Sequence, residues 1–170
     1  MNPRRYFTIV LILFAAASRL LPHSPNFAPI TALALFSGVY LRKQESLLVP
    51  IAALFLSDIV LGFYSGMIWV YGSFLIIAAM GIWLRNHRDV LHIAGATLAG
   101  SVIFFVVSNF GVWLGILYPH TLSGFTACYV AAIPFFRNAL TGDILYTAAL
   151  FSLYEFGIRT IPVLRTGENS

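Results

Sequence analysis

A chain of 170 residues that is 59% hydrophobic and only 9% charged, with a mean hydropathy of +0.87, departs from soluble domains, which are roughly half apolar and a quarter charged. That balance excludes a disordered chain and almost any soluble globular domain, and the single Cys excludes an internal disulfide and a thiol metal cluster. A net charge of +4 would suggest nucleic acid in a soluble protein, but the basic residues sit in short loops between apolar stretches, where they report orientation, so no nucleic-acid partner is expected.

The composition reads as an all-α integral membrane protein forming a single transmembrane domain over residues 1–170. A span needs about 20 apolar residues, so six would use roughly 120 and leave about 50 for loops and tails. No room remains for a soluble catalytic domain. In chain order the predicted spans are Tyr6 to Leu21, Phe27 to Leu41, Leu47 to Phe63, Ile68 to Leu84, Val90 to Leu117 and Asn138 to Ile158. Pro22, Pro25 and Pro29 break the chain after the first, because proline removes a donor and restricts the preceding residue. Arg42-Lys43-Gln44-Glu45 ends the second, Tyr64-Ser65-Gly66 turns after the third, Arg85-Asn86-His87-Arg88-Asp89 ends the fourth, and Tyr118-Pro119-His120 ends the fifth.

Charge sets the orientation. Arg4 and Arg5, Arg42 and Lys43, Arg85 and Arg88, and Arg159 and Arg165 fall on one side if there are six crossings. The positive-inside rule makes that side cytoplasmic, with both termini inside, as in a multi-pass membrane protein. The apolar piece Leu122 to Phe136 is short for a span, and counting it as one would put Arg159 and Arg165 outside. It is expected to be a re-entrant or interfacial segment on the outer side. A rival reading takes Arg4-Arg5, the following apolar run and Ala15-Ala16-Ala17 as a cleaved signal peptide. The matching charge of the other inner loops favours retention.

Polar groups inside a membrane are costly and face a cavity or one another. On the six-span topology they gather in the outer half: Arg19, His23 and Asn26 near the first two spans, Asp58 in the third, Asn109 and Trp113 in the fifth, and Arg137, Asn138 and Asp143 at the start of the sixth. The inner half is mostly Leu, Ile, Ala, Val and Phe, whereas a channel or proton relay needs polar groups along its full depth. The pattern predicts a pocket open outward and closed below, rimmed by Phe27, Tyr64, Trp69, Tyr71, Trp113, Tyr118 and Tyr129. Arg19, His23 and Arg137 would meet anionic groups, Asn26, Asn109 and Asn138 would orient a small-molecule ligand, and Asp58 and Asp143 would hold the arginines or accept ligand donors. The bland alternatives are snorkelling arginines, an Asp58 ion pair with Arg19 or Arg137, and a tyrosine and tryptophan belt at the interface with membrane lipid. Small residues four apart, Ala28 with Ala32, Ala34 with Gly38, Gly95 with Ala99, and Ala96 with Gly100, predict close helix packing.

No phosphate-binding loop, HExxH or GxSxG is present. Intramembrane aspartyl proteases share a Gly-x-Gly-Asp motif, and Leu140-Thr141-Gly142-Asp143 lacks its first Gly. The chain is expected to be no enzyme and to carry no cofactor or metal.

The run from Arg19 through Pro22-His23-Ser24-Pro25-Asn26-Phe27-Ala28-Pro29 to Gly38 resembles the DUF6580 family of uncharacterised bacterial membrane proteins, as do Asn109-Phe-Gly-Val-Trp113, Cys128 to Asn138, and Gly142-Asp143. The resemblance covers most of the chain and implies no activity. In architecture the chain is similar to the S-components of energy-coupling-factor (ECF) vitamin transporters, compact six-helix proteins that bind a vitamin or metal near the outer face. That similarity implies substrate binding for transport, with a coupling subunit and ATPases as partners. It departs from them at the Ala-xxx-Ala docking motif of their first helix, where Ala15 stands opposite Arg19 and the nearest match is Ala28 with Ala32. Some solitary cobalamin transporters of that group use a cysteine on cobalt, which makes cobalamin a candidate ligand and Cys128 its contact. A lone thiol makes a poor metal site, and Cys128 is expected to be packed as a small hydrophobe. The alternative to uptake is a membrane scaffold whose polar cluster is internal glue.

Overall fold

A computed structural model describes residues 3–21 and 24–165. His23, one of the expected ligand contacts, lies outside the described residues. Seven helices follow in order: α1 (Pro3–Ser18), α2 (Ile30–Tyr40), α3 (Lys43–Leu61), α4 (Met67–Leu84), α5 (Val90–Trp113), α6 (Leu122–Thr160) and the short α7 (Pro162–Arg165). All regular structure among the described residues is helical.

The first six helices run alternately up and down, and contacts at one end fix this. Arg5 at the start of α1 pairs with Glu45 at the start of α3. Arg85, at the end of α4, donates to the carbonyls of Gly38 and Leu41 at the end of α2. Arg88 lies 5.6 Å over the Tyr40 ring, which lies tilted with its centroid 3.9 Å from that of Tyr154 near the end of α6. Arg4 donates to Leu164 in α7 at 2.6 Å. The basic groups that the loops carry therefore collect at one end of the bundle. There Asp89 caps α5 by accepting from the His92 backbone N–H, and that bond holds its carboxyl below the ordinary range.

α2 is the centre. Every residue from Ile30 to Val39 is buried, and the helix packs on α1, α3, α4, α5 and α6. Its closest approach is to α4. A Cβ on Gly38 would sit 2.3 Å from the Gly81 backbone, and one on Gly81 would sit 2.8 Å from the Ala34 carbonyl. Only glycine at both positions lets the two backbones touch. Pro50, buried inside α3, cannot donate to the Ser46 carbonyl. The Ser37 hydroxyl of α2 donates to that carbonyl instead, at 3.2 Å, while the Ser46 hydroxyl donates back to the Ser37 carbonyl at 2.9 Å. The proline gap is thus what lets α3 lock onto α2.

Three helices, α3, α4 and α5, are long and apolar enough to cross a membrane. The outside of the bundle is apolar: Val60, Ile68, Leu91 and Leu145 are all exposed. Ser37, Ser46, Ser57, Ser73, Ser101, Asp58 and Asp143 are buried within. An apolar exterior around a polar-seamed interior is the arrangement a lipid solvent favours.

Two expected spans differ from their predicted form. The second is helical only over Ile30–Tyr40, about 16 Å at 1.5 Å per residue, half of a hydrocarbon core. The residues before it, Ser24 to Pro29, are irregular, and Asn26 takes a left-handed φ of 62°, a conformation asparagine tolerates better than most. The expected outer segment Leu122 to Phe136 is not a separate re-entrant or interfacial piece. It is the first part of α6, a helix of 39 residues that continues through Pro134. A proline inside a helix removes one hydrogen bond and does not oblige the chain to turn. Both parts belong to one helix.

Candidate functional site

A cavity of about 540 Å³ lies at the end of the bundle opposite the basic loops, within the ordinary size range of small-molecule sites. The turn residues Tyr64, Ser65 and Gly66 and the loop residue Tyr118 rim it. Its deeper wall is Ile30 and Thr31 at the start of α2, Phe74 of α4, Phe104 of α5 and Asp143 of α6. Below it, the packed side chains of Leu33, Leu35, Phe36, Val39 and Ile77 close the bundle. The cavity lies above the start of α2, and Asn26 and Ala28 of the preceding segment line it. The irregular Ser24–Pro29 segment occupies the space where the first turns of a full-length helix would stand.

Asp143 is 3% exposed and accepts a hydrogen bond from the buried Ser101 hydroxyl at 2.6 Å. Thr31 is its other side-chain partner, and among the described residues neither Lys nor Arg pairs with it. A carboxylate in such a place normally requires a counter-charge. Gly142, its neighbour, is buried against the Phe27 and Ala28 backbone, where a Cβ would come within 3.3 Å. This contact brings the carboxyl close to the start of α2.

Arg19 lies just past the end of α1 and also lines the cavity. Its guanidinium is held by α3: Nη2 is 2.8 Å from the Asp58 carboxylate, and Nη1 donates to the Leu54 carbonyl at 3.2 Å and to the Ser57 hydroxyl. The Tyr71 hydroxyl donates to the other Asp58 oxygen at 2.9 Å. Asp58 is 1% exposed and stands behind Arg19, outside the cavity wall. The expected ion pair between these two is present, and it joins α1 to α3.

The remaining expected residues divide. Asn26 and Asn109 line the cavity, with the Asn109 side chain donating to the Phe105 carbonyl one turn below at 2.7 Å. Trp113 does not line it. Its Nε1 donates to the Pro119 carbonyl at 3.2 Å, and its ring packs edge-on against Phe125 and His120, so it clamps the α5–α6 loop. Asn138 donates to the Pro25 carbonyl at 3.2 Å and fastens the irregular segment to α6. Arg137 is exposed and outside the cavity; it does not approach Asp58 or Asp143. Of the expected aromatic rim, Tyr64 and Tyr118 line the cavity. Trp69 packs instead on Gly111, Phe27 on Tyr146, and Tyr129 donates to the Val106 carbonyl at 2.7 Å. Cys128 is 2% exposed, with its thiol 3.5 Å from the Asn109 carbonyl, and forms part of the cavity wall.

Sequence reading missed Ser101, Thr31 and Ser108 as parts of this site. The signal was present: Thr97, Ser101 and Ser108 recur at helical spacing on an otherwise apolar α5 and mark its inward face. Among the described residues, no cluster of three or more His, Cys, Asp or Glu could hold a metal ion.

The sequence profile of a Family of unknown function (DUF6580) matches residues 1–164. No curated protein matches the chain, and no solved structure does.

Proposed function

We propose that this chain, which belongs to the DUF6580 family of unknown function, is a membrane protein that captures a small polar molecule in the cavity beside Asp143 and helps move it inward. The observation that carries this reading is a buried carboxylate whose partners among the described residues are hydroxyls, set in the wall of a ligand-sized cavity. A carboxylate used only as structural glue would be expected to find its counter-charge within the protein, as Asp58 does in Arg19.

The direction of capture follows from charge. With six crossings, the end that gathers Arg4, Arg5, Arg42, Lys43, Arg85 and Arg88 is cytoplasmic, in a bacterial inner membrane, and both termini are inside. The cavity then faces outward. α1, α2 and α6 complete the six crossings, α2 with its preceding irregular segment; non-helical backbone is tolerated at membrane depth where it lines a cavity. This proposed plan resembles that of an ECF S-component, a solute-binding subunit that depends on separate coupling and ATPase subunits for uptake. Gly95 and Ala99 lie on the exposed face of α5, and nothing within 4 Å covers Gly95. That small-residue face suits a partner helix of such a coupling subunit.

A scaffold reading draws on the Arg19–Asp58–Tyr71 cluster, which is satisfied within the protein. It accounts for that cluster and leaves Asp143 and the cavity without a purpose.

A thermal-stability screen of the full-length protein against small polar metabolites tests the proposal. Stabilising compounds should lose their effect in Ala131→Trp, which places a large side chain on an exposed part of the cavity wall. Hits that stabilise wild type and Ala131→Trp equally would contradict it.

A further inference from the structure

The fixed charges of the cavity are few, and their sum has a sign. Among the described residues Arg19 is the only Lys or Arg in its wall, and Asp58 neutralises it at 2.8 Å. Asp143 remains, so the set carries one net negative charge when all three groups are ionised. Arg137 does not reach the cavity. The aromatic part of the deep wall, Phe74 stacked 5.2 Å from Phe104, offers ring faces that attract cations.

On these grounds we infer that the ligand is a small organic cation, an ammonium, amidinium or protonated nitrogen heterocycle on an apolar body, recognised at Asp143. This rests on the cavity being a binding site open to the outer side. The cationic group supplies the counter-charge that Asp143 lacks, and donates to the carboxylate oxygens alongside Ser101. Its apolar body lies against Phe74 and Phe104. Among the described residues an anion of the same size would meet Asp143 without a free Lys or Arg and would have to pull Arg19 from Asp58, leaving that carboxylate buried and unpaired. The polar rim of Asn26 and Asn109 orients either kind of ligand, whereas Asp143 discriminates between them.

The test reads the charge preference of the cavity directly. Cys128 is the only cysteine of the chain. In a Cys128→Ser background, Ala139→Cys places a reporter thiol in the cavity wall one helical turn from Asp143. Two membrane-impermeant methanethiosulfonates are applied from outside, one bearing trimethylammonium and one bearing sulfonate. Each rate is divided by its rate with free cysteine. The normalised cation-to-anion ratio should be about tenfold or more, and Asp143→Asn should bring it to within about twofold of one. A ratio at or below one, or one unmoved by Asp143→Asn, overturns the inference while leaving the binding site in place. If neither reagent reacts with a natively eluting protein, the cavity is closed to the outside, and the capture reading falls with the inference. Ser108→Cys, on the opposite wall, gives the same readout if Ala139→Cys does not fold.

Discussion

Two buried aspartates in this protein do different work, and their neighbours show why. Asp58 is held by a guanidinium and a phenol, whereas Asp143 has hydroxyl partners. Asp58→Asn should therefore strand Arg19 and cost about 3 kcal/mol or more of stability, the usual penalty for breaking a buried pair. The double variant Arg19→Met with Asp58→Leu should recover much of that loss in detergent unfolding. A double variant no more stable than Asp58→Asn would show that the pair is not the source of the cost. The sequence made Asp58 and Arg19 legible as partners, because both are expensive in lipid and fall at the same depth. It could not separate Arg19 from Arg137, which shares that depth but faces away from the cavity. Depth follows from position along a span, while facing depends on neighbours contributed by other helices.

Among the elements, α2 and α6 are where apolarity and helix length part company. The second apolar run was legible as a buried element, and its prolines marked where it begins to break. A hydropathy reading registers a run of apolar residues without saying which are helical, so the short helix and the cavity above it did not emerge. In α6, Arg137 and Asn138 looked like the start of a new span, but a helix that lies beside α5 and then α1 and α2 can carry them without stopping. The spacing of Ala34 and Gly38 did identify a packing face, and Gly81 proved to be the other half of that contact. Gly38→Ala forces the two backbones apart and should destabilise the protein by about 2 kcal/mol, in the range of overpacked cores. Gly95 has the same spacing relation to Ala99 but nothing within 4 Å, so Gly95→Ala should be neutral or stabilising by up to about 1 kcal/mol. Equal losses for the two variants in the same unfolding assay would mean that the small-residue pairs do not differ in use.

At the scale of the whole molecule, charge separates the two ends. One end collects the basic loops and is sealed by α2, and the other holds the cavity. Reporter fusions at Lys43, Asn86 and the C-terminus should read cytoplasmic, and a fusion at Ser65 should read external; an external C-terminus would contradict six crossings. That the basic loops share one end was legible from sequence alone, while the cavity depended on how six helices meet. Whether this cavity holds a small molecule is read by native mass spectrometry of the full-length protein purified in mild detergent. Wild type should retain a non-lipid adduct of small-molecule mass, and Ala131→Trp should lose it. Identical spectra for the two proteins, bare or carrying lipid alone, would contradict binding in the cavity.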